Sequence, residues 1–129
     1  MTAEMVEPRV AVRWEAVCPL ERLFPERGVA ALVVQAPKNG QHGENVQVAL
    51  FRLHDDETVY AIGNIDPFSR AAVLSRGIVG DRGGEPVVAS PVYKQAFSLR
   101  TGRCLDDPEV AVPVYPVRVA DGWVEVGIT

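Results

Sequence analysis

Hydrophobic and polar positions alternate with a period of two along most of the chain, in short Val-rich runs separated by Gly, Pro, Asn and Asp. That is the pattern of strands that turn one face to a core, at the spacing found in small antiparallel β-sandwiches and barrels. Residues 10–17 read as the first strand. In CPLERLFPERG, residues 19–24 can make at most a short helical turn before Pro25 and Gly28 end it. Residues 29–35 are apolar almost throughout, as expected of a strand buried on both faces. PKNGQHGEN then supplies a polar, Gly-rich turn before a strand over residues 46–53, so the two runs read as a hairpin with a long loop. HDDE is a second turn, and residues 58–62 a further strand that delivers the chain to Asn64. Near the C-terminus, Asp121-Gly122 between two alternating runs is the strongest short-range hairpin signal in the chain. No internal repeat, low-complexity segment or linker interrupts the pattern. An all-β single domain over residues 9–129 is expected, preceded by a variable tail over residues 1–8.

Composition narrows the function classes. The 129 residues are 47% hydrophobic and 23% charged, ordinary globular usage for one domain. No apolar run approaches the ~20 residues of a membrane-spanning helix, and the N-terminus, with Glu4 and Glu7, lacks the apolar stretch of a signal peptide. A cytoplasmic protein is expected. The net charge is −4 and the 13 Lys and Arg are scattered, so a phosphate-binding footprint is missing and nucleic acid is not an expected partner. Cys18 and Cys104 lie far apart and outside any C-x-x-C, which suits neither a disulfide framework nor a zinc module; in a reducing cytosol two unpaired thiols are expected.

The most informative stretch is NIDPFSRAAVLSRGIVGDRGGEPVVASPVYKQAFSLRTGRCL, residues 64–105. A strand ending in Asn64 enters the turn Ile65-Asp66-Pro67-Phe68; an Ala-rich stretch and a Gly-rich excursion follow, then the turn Ser90-Pro91-Val92-Tyr93 and the strand and turn Phe97-Ser98-Leu99-Arg100-Thr101-Gly102. This order resembles the Rieske iron–sulfur domain, in which C-x-H from one loop and C-x-x-H from the next hold a two-iron cluster, with the imidazoles on one iron and the thiolates on the other. The resemblance places Asp66 and Phe68 at the first pair of ligand positions and Ser90 and Tyr93 at the second. All four ligands are missing. Three positions carry hard oxygen groups and the phenyl ring of Phe68 has no lone pair to give, so no iron–sulfur cluster is expected. More narrowly, residues 64–68, Ser75-Arg76-Gly77-Ile78-Val79-Gly80, Ser90-Pro91 with Lys94-Gln95, and Cys104-Leu105-Asp106-Asp107-Pro108 resemble the small subunits of bacterial assimilatory NAD(P)H-dependent nitrite reductases, from about Trp14 to Val126. That family has a Rieske-like fold without a cluster. The resemblance implies a partner large subunit that carries FAD, an iron–sulfur cluster and sirohaem and reduces nitrite to ammonium. GDRGG follows no strand-to-helix pattern and reads as a turn, so this chain has no dinucleotide motif of its own.

Bland readings stand beside the sharper ones. Asp66 suits a hard-metal or catalytic carboxylate, but Asp before Pro also starts turns. Ser90 has no His near either loop to activate it and reads as structural rather than nucleophilic. His42 and His54 lie in turns, and His54 with Asp55 and Asp56 makes only a weak metal set. If the loops fold as the resemblance implies, Phe68 is expected to plug the vacant frame, while Tyr93 either joins it or projects toward a partner. Arg76, Tyr93, Lys94 and Gln95 are the expected partner contacts, since aromatic and Arg residues concentrate at interfaces. Cys104 reads as a small buried hydrophobe, and Trp14 and Trp123 as core or core-edge residues. The leading expectation is a non-catalytic small subunit without cofactor, monomeric or weakly oligomeric when alone. The alternatives are a Rieske-type electron-transfer ferredoxin and a free-standing protein-binding module.

Overall fold

The computed structural model describes residues 12–34, 45–54 and 58–128. The expected tail over residues 1–8, most of the PKNGQHGEN turn with His42, and Asp55 and Asp56 lie outside those residues. Ten strands are formed among the described residues: β1 (Arg13–Pro19), β2 (Gly28–Val34), β3 (Asn45–Arg52), β4 (Val59–Gly63), β5 (Ile78–Arg82), β6 (Glu85–Ala89), β7 (Ala96–Ser98), β8 (Val114–Tyr115), β9 (Val117–Ala120) and β10 (Trp123–Ile128). The only helical pieces among them are two 3-10 turns, Leu20–Arg22 and Leu74–Arg76. The strands make three antiparallel sheets, in the orders β1-β10-β9, β2-β3-β4-β8 and β5-β6-β7. Among the described residues the sheets stay open and do not close into a barrel, so of the sandwich or barrel expected the layered arrangement is observed. No helix among the described residues is long and apolar enough to cross a membrane.

The middle sheet is covered on both sides, and the pleat of β3 shows how. Val48 and Leu50 point to a core with Leu23, Val33, Ala61, Val124, Val126 and Ile128, shared with the β1-β10-β9 sheet. Ala49 and Phe51 point the other way, to a core with Ile62, Leu74, Val88, Phe97, Leu99, Cys104 and Val112, shared with the β5-β6-β7 sheet. Alternate residues of one strand thus serve two cores, which is why residues 48–51 are apolar without a break. Each large side chain so buried contributes roughly 1.5–3 kcal/mol.

The structure corrects two expectations here. The strand buried on both faces is β3, not the run over residues 29–35: β2 is an edge strand, with Leu32 and Val34 exposed. Trp123 is no core residue, being 46% exposed on β10, whereas Trp14 is half-buried beneath the guanidinium of Arg118, 4.4 Å from its ring centroid. Residues 10 and 11 of the expected first strand lie outside the described residues, and β1 runs on to Pro19 through an irregularity between Ala16 and Cys18.

Turn chemistry follows the sequence. Asp121 and Gly122 take φ of 54° and 80° between β9 and β10, and Gly83 and Gly84 take 61° and 90° between β5 and β6, both as hairpin loops with two left-handed residues require. Gly102 closes β7 at φ +78°, where a Cβ would lie 2.1 Å from the Val112 carbonyl oxygen. The two thiols are free and belong to different cores, Cys104 buried against one and Cys18 half-buried against the other. Burial pushes the Cys18 thiol up, with Arg22 pulling weakly the other way.

Candidate functional site

Two loops leave the frame side by side. The first follows β4; the second joins β6 to β7. Each begins with a residue that serves its own turn three times. The Asp66 N–H donates to the Ala71 carbonyl (2.9 Å), its carbonyl accepts from the Arg70 N–H (2.6 Å), and its Oδ1 accepts from the Phe68 N–H (2.9 Å). The Ser90 N–H donates to the Gln95 carbonyl (2.9 Å), its carbonyl accepts from the Lys94 N–H (3.0 Å), and its Oγ accepts from the Val92 N–H (3.2 Å). Pro stands second in both loops, where its fixed φ suits the turn and its missing N–H is not needed. Both loops close through a left-handed basic residue, Arg70 at φ 67° and Lys94 at φ 69°. Residues 66–70 and 90–94 are therefore one loop design used twice.

The two copies meet at their first residues. The Ser90 hydroxyl donates to Asp66 Oδ2 at 2.6 Å, and neither residue has exposed surface (0% each). Desolvation is the largest single influence on the Asp66 carboxyl and pushes its pKa up. The hydrogen bonds from Ser90, from the Phe68 N–H and from Ser69 together outweigh it and hold the carboxyl below its ordinary value. The pair is an ionised carboxylate with its charge satisfied and a hydroxyl whose proton is already engaged. No substrate reaches Ser90 Oγ, so the clasp serves geometry and not nucleophilic chemistry.

Around the clasp the elements fit closely. Asn64, at the end of β4, accepts from the Ser75 N–H on Oδ1 (2.7 Å), and its carbonyl accepts from the Leu74 N–H (3.0 Å), which fixes the 3-10 turn against the first loop. Gly77 follows that turn, and a Cβ there would lie 2.3 Å from the Ala89 carbonyl oxygen, directly before Ser90. Arg76 is exposed at the end of the turn. Phe68 folds inward, half-buried against the core, with its ring 6.2 Å from that of Phe97. Tyr93 points out and is 59% exposed, and Lys94 is exposed with its Nζ donating to the Pro91 carbonyl at 3.2 Å. Gln95 is half-buried, with its Oε1 enclosed and without a hydrogen-bond partner. His54 is exposed, and among the described residues no group of three or more His, Cys, Asp or Glu is arranged to hold a metal ion.

The sequence alone gives Asp66 as a turn starter and Ser90 as a structural residue, each within its own loop, and does not single out Arg70. A signal for both was present, since DPFSR and SPVYK share Pro at the second place and a base at the fifth.

Residues 13–127 match the Rieske-like [2Fe-2S] domain. The chain belongs to this Rieske-like family. Within it, the chain is 42% identical over 113 residues to the nitrite reductase (NADH) small subunit of Escherichia coli, covering 88% of this chain and 95% of that one. It is also 46% identical over 122 residues to a nitrite reductase [NAD(P)H] large subunit of Klebsiella oxytoca, covering 94% of this chain but only 12% of that protein. A crystal structure from Mycobacterium tuberculosis, of a protein assigned as an NADH-dependent nitrite reductase small subunit, superposes with a TM-score of 0.81 at 51% identity and covers 93% of this chain and 98% of that one.

The two-iron group for which the family is named does not fit the residues present. At the two positions that the resemblance gives to thiolates, the side chains touch each other through a 2.6 Å hydrogen bond and leave no gap to bridge. At the positions of the imidazoles stand a phenyl ring turned into the core and a phenol turned to solvent. Neither set supplies the soft donors that a cluster iron requires.

Proposed function

We propose that this chain is the non-catalytic small subunit of a cytoplasmic NAD(P)H-dependent nitrite reductase, and that it acts by docking on the large subunit. The observation that carries the reading is the near end-to-end match to the E. coli small subunit, 95% of whose length is covered. Support comes from the K. oxytoca large subunit, 12% of which is matched by almost this entire chain. A domain covalently joined to its working partner in one protein and separate in another fits a permanent neighbour of that partner, with the fusion replacing affinity by effective concentration. FAD, the iron–sulfur cluster and sirohaem then reside in the large subunit, and this chain contributes shape and contact rather than electrons. The Asp66–Ser90 clasp, in the place of cluster ligands, favours this over an electron-transfer ferredoxin.

A tagged chain used to capture partners from nitrate-grown cells is expected to bring down a sirohaem-containing polypeptide together with nitrite-dependent NAD(P)H oxidation. Recovery of the chain without such a polypeptide refutes the reading. Arg76→Glu is expected to weaken the capture and leave the melting temperature of the isolated chain unchanged, as for a surface position away from packing. Unaltered capture removes Arg76 from the interface.

A further inference from the structure

We infer that the two Pro loops form a two-pronged docking face whose cations, Arg70 and Lys94, meet carboxylates rimming an apolar seat on the large subunit. The inference rests on the proposed function and names the surface that performs it. Its first support is the backbone. Arg70 and Lys94 adopt φ of 67° and 69°, a region where Gly or Asn is the low-strain choice. A glycine would close either loop with less strain, yet both loops place a long cation there. Strain of this kind, held in duplicate, gathers at sites where function needs a particular side chain.

Charge is the second support. The chain as a whole carries a net charge of −4, but residues 65–70 and 90–95 contain a single carboxylate, Asp66, and that one is fully buried in the clasp. The tips are therefore cationic islands on an acidic protein. On the same two loops Pro67, Pro91, Val92 and Tyr93 are exposed, the last two 43% and 59%, so each cation is accompanied by apolar and aromatic surface of the kind protein interfaces use. Pairing this face with its own copy about a two-fold axis would bring cations against cations, whereas a carboxylate-bearing partner complements it. The clasp is the third support. By joining the prongs through Ser90 Oγ and Asp66 Oδ2 it fixes their spacing before contact, which lowers the ordering cost of association.

The test uses the full chain and the purified holo large subunit, with Arg70→Gly, Lys94→Gly and the double variant. Glycine relieves the left-handed strain, so melting temperatures are expected to stay unchanged or rise. Affinity is expected to fall about tenfold for each single variant and about a hundredfold for the double variant at low salt. The salt dependence of wild-type binding is expected to flatten in the double variant. Lys94→Asn, neutral and tolerant of positive φ, should behave as Lys94→Gly. A double variant that binds within twofold of wild type overturns the inference while leaving the proposed function intact. A wild-type chain that does not bind the large subunit overturns the proposed function itself.

Discussion

At the scale of single residues, the clasp matters because it joins the two loops through a hydrogen bond between two fully buried groups. Ser90→Ala removes the hydroxyl that donates to Asp66 Oδ2 and leaves that oxygen buried without it. Stranding one side of a buried hydrogen bond to a charged group costs about 1–3 kcal/mol, and urea denaturation at pH 7 measures it. Acidification tests the same bond from the other side. The folded-state pKa of Asp66 lies below its unfolded value, near 3.9, so its contribution is complete above pH ~4 and is lost as pH falls through the folded value. The stability gap between wild type and Asp66→Asn should be constant from pH 8 to 6 and close progressively below about pH 4. A gap of the same size at pH 3 contradicts the assignment of charge to this carboxylate.

At the scale of elements, the end of the 3-10 turn Leu74–Arg76 and the start of β5 are wedged against the last residues of β6, directly before the second loop, and Gly77 is what lets them approach. Gly77→Ala sets a Cβ 2.3 Å from the Ala89 carbonyl oxygen and 2.7 Å from Val88 Cγ2. Backbone cannot yield as a flexible side chain can, and a loss of about 1–3 kcal/mol is expected, read as a lower thermal midpoint. Gly80→Ala, with nothing within 4 Å of the added methyl group, is the control and should cost far less. The same elements show what could be read from the chain alone. The Asp121-Gly122 hairpin and the Pro loops were legible because Asp-Gly and x-Pro fix φ locally, whatever the rest of the fold does, whereas GDRGG read only as a turn and the β5–β6 hairpin around it was not expected. Which apolar run becomes the central strand was not, since residues 29–35 and 48–51 look alike and only sheet order, a non-local property, makes β2 an edge. The clasp was hidden for the same reason: Asp66 and Ser90 lie 24 residues apart, and each is fully explained by its own turn until the fold brings them together.

At the scale of the whole molecule, a Rieske-like frame whose four ligand positions hold Asp66, Phe68, Ser90 and Tyr93 keeps its two loops ordered by contacts of its own, among them the clasp, the Phe68 ring packed on Phe97, and Asn64 pinning the 3-10 turn. All three are made by side chains of the chain itself, so its stability should be indifferent to metal. Protein produced in iron-replete cells is expected to show no absorbance bands between ~400 and 600 nm, where iron–thiolate transitions fall. Its melting temperature should be the same before and after exhaustive treatment with an iron chelator, because a ligand that does not bind the native state cannot stabilise it by mass action. An iron-to-protein ratio near two, or a chelator-induced drop in the midpoint, would mean that the loops rearrange to admit a metal centre. Such a rearrangement must first break a 2.6 Å hydrogen bond between two fully buried groups, an ionised carboxylate among them, and that cost is the physical reason to expect neither result.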